Sequence, residues 1–393
     1  MSSAEQFDRI DIQQLRDAGS VKWSMFPDTI GAFVAEMDYG TAPAITQALH
    51  AGVDAALFGY LPPRLKESMA EACAAWQRDV YGWQVTADQV QPLPDVIKGL
   101  EAAIQHYSEP GSAVIVPTPA YMPFLTVPPL LGRRVIQVPM LFTDGRYRLD
   151  LDGIAAAFRD GGGLLILCNP CNPLGRVYEI DELTALAAVV TEHGGRVFAD
   201  EIHSPLVFGD RRHVPYASVS DETAAHTVTA TSASKAWNLP GLKCAQLILS
   251  NDRDAEKWAE VGMLAGHGAA NLGVIANTAA YSSGRPWLDG VLDYLDQNRR
   301  LLGELLAEHL PEVGYVPPEG TYIAWLDCSR LGIEGSVADF FREHAGVSLT
   351  DGTACGVAGA GGVRMIFATT RPILTRAVEA MGRAVRELDS AVA

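Results

Sequence analysis

Four apolar runs in the sequence lead into residues of four different chemistries. "SAVIVPTPAY" delivers Tyr121, "GGLLILCNP" leads to Asn172, "GRVFADEIH" carries Asp200, and "HTVTATSAS" runs straight into Lys235. An aromatic ring, an amide, a carboxylate and an amine together suit a planar, charged ligand that bears an aldehyde. A lysine amine condenses with an aldehyde to a Schiff base, an aspartate holds a protonated ring nitrogen, and an aromatic face stacks on the ring.

Pyridoxal phosphate has a use for all three partners. Its phosphate needs cationic and hydroxyl or amide donors. Ser232, Ser234 and Lys243 in "TSASKAWNLPGLKCAQ" fit that demand, and Lys235 and Lys243 are two of only six lysines in the chain. Val96 and Ile97, in "LPDVIKGL", offer further backbone N–H groups at a predicted helix start. Taken singly, these residues have plainer uses. An aspartate caps helices, an asparagine makes turns, and a lone histidine such as His203 packs in a core.

To converge, the four runs must be neighbouring strands. Short apolar runs that end in turn residues and precede helical periodicity predict an α/β domain with a largely parallel sheet, and such sheets bind ligands beyond the carboxyl ends of their strands. "QLILS" is a further strand candidate. The segment Pro286 to Leu310 has apolar residues at helical spacing and stops before Pro311, which predicts a long connecting helix. After it come a strand in "TYIAWLDC", a glycine-closed helix in "SVADFFREHAG" and a strand in "GGVRMIFAT", the makings of a smaller α+β unit. The expected division is residues 1–48 packing with the small domain, 49–285 as the large domain, and 286–393 as connecting helix and small domain.

With 48% hydrophobic and 20% charged residues, the 393-residue chain has ordinary globular composition. A net charge of −17 argues against a nucleic-acid surface, which needs clustered cations. The opening "MSSAEQFDRIDIQQL" lacks the basic start and apolar run of a signal peptide, and no apolar segment reaches membrane-spanning length, so the chain reads as cytoplasmic. Six scattered cysteines make no disulfide framework. Cys168 and Cys171 form a C-x-x-C without a second ligand pair, and no metal site is expected. The glycine-rich "ACGVAGAGG" lacks the strand-turn-helix setting of a dinucleotide fingerprint.

Together, "SASKAWNLPGLK", "NPCNPLGRVY" and "ADEIHSPLVF" resemble the fold-type I pyridoxal-phosphate enzymes. Within them the chain most resembles the MalY/PatB-like cystathionine β-lyase branch of the class I/II aminotransferase family, from "FVAEMDY" to "VRMIFATTR". The resemblance implies a large domain with a mostly parallel seven-stranded sheet between helices, plus a smaller α+β domain. It implies that Lys235 carries the cofactor, Asp200 pairs with the ring nitrogen and Tyr121 stacks on the ring. Asn172, with Tyr178, would stand near the ring hydroxyl, and His203 would lie near the cofactor. Lys243 takes a place where many relatives have arginine, and Asp95 one where they often have glycine.

Tyr60, in "FGYLPP", resembles a tyrosine that reaches the phosphate from a partner subunit, which implies a homodimer with shared sites. Arg364, with Asn172, would clamp the substrate carboxylate through two parallel hydrogen bonds. The implied reaction is β-elimination from a sulfur amino acid such as cystathionine, giving a thiol, pyruvate and ammonia. Amino transfer to a 2-oxo acid is the alternative, since the site motifs alone do not separate the two. A regulatory cofactor-binding protein is a third reading from another class.

Overall fold

The computed structural model describes residues 3–392. Its central sheet has seven strands in the spatial order Val90–Leu93, Ala245–Leu249, Thr227–Thr231, Arg196–Asp200, Gly162–Cys168, Ala113–Thr118 and Val135–Pro139. Ala245–Leu249 runs antiparallel to both of its neighbours, and the remaining pairs are parallel. The seven-stranded, mostly parallel sheet expected from the resemblance is present.

Side-chain alternation along the strands explains why the sheet carries helices on both faces. Val114, Val116, Leu164, Ile166 and Phe198 share one core with Leu100 and Ala103 of helix Val96–His106 and Trp258 of helix Asp252–Ala265. The residues between them, Ile115, Leu165, Leu167, Val197 and Ala199, point the other way. They share a second core with Ile154 and Ala157 of helix Leu151–Arg159 and Leu183, Leu186 and Val190 of helix Ile180–Glu192. Strands buried on both faces read as continuous apolar runs, which is how these four announce themselves in the sequence.

A second sheet of four antiparallel strands, Gly314–Tyr315, Ile323–Asp327, Gly362–Ile366 and Thr350–Asp351, follows the long helix Arg285–His309. That helix ends just before Pro311, as predicted, and packs against the last helix, Arg371–Val392. The predicted helix in "SVADFFREHAG" is a short α-helix, Val337–Phe340, continued by a π turn over Phe341–Ala345 and closed by Gly346 at φ +64°.

The N-terminal segment crosses between the two units. Ile30–Gly31 pairs in parallel with Val347–Ser348. Lys22 is buried and donates to Asp38 Oδ2 at 2.9 Å, while Trp23 Nε1 donates to Asp38 Oδ1 at 2.8 Å. The division expected at 48 falls inside helix Pro43–Asp54, whose Gly52 lies against Leu272 and Ile275 of helix Asn271–Ser283. Among the described residues no helix is long and apolar enough to cross a membrane.

Candidate active site

The carboxyl ends of the central strands open into one cavity of about 700 Å³. Asp200 is the last residue of its strand, Tyr121 stands three residues past Thr118, and Lys235 lies in the turn after Thr231. These three, with Asn172, His203, Ser232, Ser234, Val96, Ile97, Lys243 and Arg364, all line the cavity. Convergence from such distant parts of the chain is what the strand-end reading requires.

The two groups at the centre are held away from their ordinary protonation. Lys235 Nζ donates to the carbonyl of Ala35 at 3.0 Å, and Tyr322 donates its hydroxyl to the same oxygen at 2.9 Å. Burial pulls the amine down from an ordinary 10.5 to about 8, helped by the Arg364 charge and opposed by Glu36 and Asp200. Burial likewise pushes Asp200 up from 3.8 to about 7, against the N–H of Ile202, which donates to its Oδ1 at 3.1 Å, and the attraction of Lys235. A carboxyl group so placed gains from meeting a cationic ring nitrogen.

At one end of the cavity a phosphate would meet the start of helix Val96–His106. Asp95 caps it by accepting from Lys98 N at 2.9 Å, which leaves the amides of Val96 and Ile97 without an acceptor within the helix. Ser232 is already committed: its hydroxyl donates to Cys244 O at 2.7 Å and accepts from Ser234 N at 3.0 Å. Its part is to hold the turn that carries Ser234 and Lys235. Lys243 sits at φ +52° with its Nζ 3.0 Å from Asp95 Oδ2, so its charge is shared with a carboxylate before any phosphate arrives.

At the other end Arg364 is 3% exposed and reaches three acceptors: Asn172 Oδ1 at 3.2 Å, Phe33 O at 2.9 Å and Thr350 Oγ1 at 3.4 Å. Among the described residues Arg364 Nε and His203 Nδ1 are buried with no hydrogen-bond partner. Orphaned polar atoms in a lined cavity are costly without a polar ligand. They fit a cofactor and an amino-acid carboxylate. Burial lowers His203 well below 6.5, with Lys235 and Arg364 adding to the effect, so its imidazole is neutral.

Two of the selected residues stand elsewhere. Tyr178 is fully buried in the core beneath the sheet, with its hydroxyl 3.9 Å from Met140 Sδ. It serves the site through its backbone, whose N–H donates to Asn169 Oδ1 at 3.2 Å. Asn172 and His203, unlike Tyr178, line the cavity. Tyr60 is 95% exposed and lines a separate surface concavity of about 1120 Å³. Lys243 borders both hollows.

The loop from Asn172 to Tyr178 is braced from outside the cavity. Arg176 is buried, grips both carboxylate oxygens of Glu182 at 2.7 Å, and pairs with Glu319. Gly175, at φ +67°, lies so close to Pro318 that a Cβ there would come within 2.2 Å of the proline ring. Residue-type reasoning did not single out Phe33, Ala35, Glu36 or Tyr322. Two of these act through carbonyl oxygens, which every residue type possesses.

Residues 31–381 match the family described as Aminotransferase class I and II. The chain belongs to that family. It is 36% identical to the cystathionine β-lyase of Corynebacterium glutamicum, over 88% of this chain and 91% of that one. It is 34% identical to cystathionine β-lyase PatB of Bacillus subtilis, with the same shares covered. A solved structure, the PLP-bound C–S lyase from Staphylococcus hominis, superposes with a TM-score of 0.89 at 27% identity, covering 97% of this chain and 99% of that one.

Proposed function

We propose that the protein is a pyridoxal-phosphate-dependent carbon–sulfur β-lyase, cleaving cystathionine or a related cysteine S-conjugate to a thiol, pyruvate and ammonia. The observation that carries the reading is the meeting of Lys235, Asp200 and Arg364 in one cavity, in a chain whose relatives bear the names just given. Pyridoxal phosphate, when bound, supplies an aldehyde for covalent capture of an amine and a ring that accepts electrons.

This chain's own residues do the rest. Lys235, lowered to about 8, would hold the cofactor's aldehyde through Nζ and, set free when the substrate's amino group takes its place there, would take the proton from the substrate Cα. Asp200 keeps a proton at the ring nitrogen. Arg364 and Asn172 hold the substrate carboxylate, which fixes which bond at Cα faces the amine. Tyr121 would stack on the cofactor ring, and His203 would offer a neutral nitrogen beside it. Val96, Ile97, Ser234 and Lys243 hold the phosphate.

We further propose a homodimer with shared sites. Phe58 and Tyr60 are 67% and 95% exposed on the concavity that meets the site at Lys243, which suits a tyrosine handed across to a partner's phosphate. The cysteines are free thiols, which suits a reducing cytoplasm.

The test is pyruvate release from L-cystathionine by the holoenzyme. Wild-type protein is expected to release pyruvate and thiol together, and Lys235→Ala to lose on the order of 10³-fold in kcat. An enzyme that passed its amino group to a 2-oxo acid and released no pyruvate would overturn the lyase reading in favour of amino transfer.

A further inference from the structure

The cavity extends well past the residues that would hold the cofactor. Its outer part is walled by Phe26 and Phe33 of the N-terminal segment, by Arg342 beyond helix Val337–Phe340, and by Asp351. A continuous set of contacts joins the two parts. Arg364 Nη2 donates to Phe33 O at 2.9 Å, the Phe33 ring stands edge-on to Phe26 at 5.3 Å, and the Arg342 guanidinium lies 5.3 Å over the Phe26 ring. Two guanidinium groups thus face one cavity, separated by two aromatic rings. Arg342 is steered by Asp339 at 2.7 Å, by Glu343 at 3.7 Å and by the ring beneath it, while its side chain keeps 32% of its exposure. Asp351 is fixed by Ser336, whose hydroxyl donates to Oδ2 at 2.7 Å, and by Thr353 N, which donates to Oδ1 at 2.9 Å.

We infer that this outer chamber is a subsite for the far end of the substrate, selecting S-conjugates whose leaving group is itself an amino acid. The inference rests on the lyase reading and narrows its substrate class. A thioether chain lies along Phe26 and Phe33, which suit a run of CH₂ and sulfur. Its distal carboxylate meets the planar fork of Arg342, and its distal ammonium meets Asp351. A small uncharged S-alkyl group makes the apolar contacts alone. Discrimination by a charge-assisted pair is larger than a methylene difference gives, because the unpaired charge is left behind when the partner is absent.

The experiment compares L-cystathionine with S-propyl-L-cysteine on holoenzyme. Arg342→Met is expected to lower kcat/KM for cystathionine, relative to S-propyl-cysteine, by about 10- to 100-fold. Arg342→Lys, which keeps the charge and loses the fork, is expected to recover part of that ratio. A ratio unchanged in both variants overturns the subsite. Dissociation constants for the same two compounds, read from the change in cofactor absorbance, separate the two levels of the reading. If neither compound yields pyruvate the lyase assignment falls, while an Arg342→Met enzyme that binds cystathionine selectively more weakly sustains the subsite. Equal binding by both proteins removes it.

Discussion

Lys235 and Asp200 make opposite demands on pH. Below about 8 the folded protein holds a buried ammonium that the unfolded chain would carry in water, so its penalty is lifted as pH rises from about 8 towards 10.5. Asp200 keeps its proton to about 7 in the fold and loses it near 3.8 when unfolded, so its contribution to stability falls as pH rises between those values. In cofactor-free protein the capture rate of pyridoxal phosphate is expected to climb with pH and level off above about 8, where an ordinary lysine would still be climbing. Stopped-flow absorbance measures it, and a rate rising unchecked to pH 10 would show that the amine is not depressed. Asp200→Asn is expected to flatten the stability decline between pH 4 and 7 in urea titrations.

The chemistry of these residues was legible in sequence because amine, carboxylate, amide and aromatic are rare company at four successive strand ends. The carbonyls of Ala35 and Phe33 were not, since a backbone oxygen leaves no mark on residue type. The resemblance implies a place near the ring hydroxyl for Tyr178, whereas the chain there presents its N–H to Asn169 and turns the ring into the core.

Among elements, the N-terminal segment carries more of the site than its irregular sequence discloses. It supplies both of those carbonyls, and it is pinned by the Lys22–Asp38 pair, in which Lys22 Nζ also donates to Glu36 O and Ala368 O at 3.3 Å. Gly31 passes so close beneath that a Cβ would stand 2.0 Å from Lys22 O. Lys22→Met strands a buried carboxylate and is expected to cost about 3–5 kcal/mol in chemical unfolding. A loss below 1 kcal/mol would mean that Asp38 finds water or another donor. The strands and the long helix were readable from apolar periodicity. Residues 20–42 were not, because their order comes from single polar contacts to distant partners rather than from a repeating pattern.

For the whole molecule, the surface that remains to be explained is the concavity around Tyr60. Exposed Phe58, Tyr60 and Met263 gather there on a chain of net charge −17, whose self-repulsion would otherwise favour monomers. Phe58→Glu is expected to shift the protein from dimer to monomer in sedimentation velocity and to lower its cofactor occupancy along with its mass. Wild-type protein sedimenting as a monomer at micromolar concentration would remove the shared-site proposal. Composition announced the acidity early, whereas the patch is assembled from the stretches near residues 58 and 263 and was invisible before folding.

The order in which the chain contributes to the cavity has a consequence for its synthesis. The residues proposed to hold the cofactor lie between Val96 and Lys243, but Arg364, at the other end of the cavity, comes much later and must find Phe33, made long before it. A nascent chain leaving the ribosome therefore carries Lys235 and the residues proposed for the phosphate well ahead of Arg364, the proposed carboxylate clamp. Even the turn that carries Lys235 waits for later sequence, since Ser232 donates to Cys244 O and strand Ala245–Leu249 joins Val90–Leu93 to Thr227–Thr231 in the sheet.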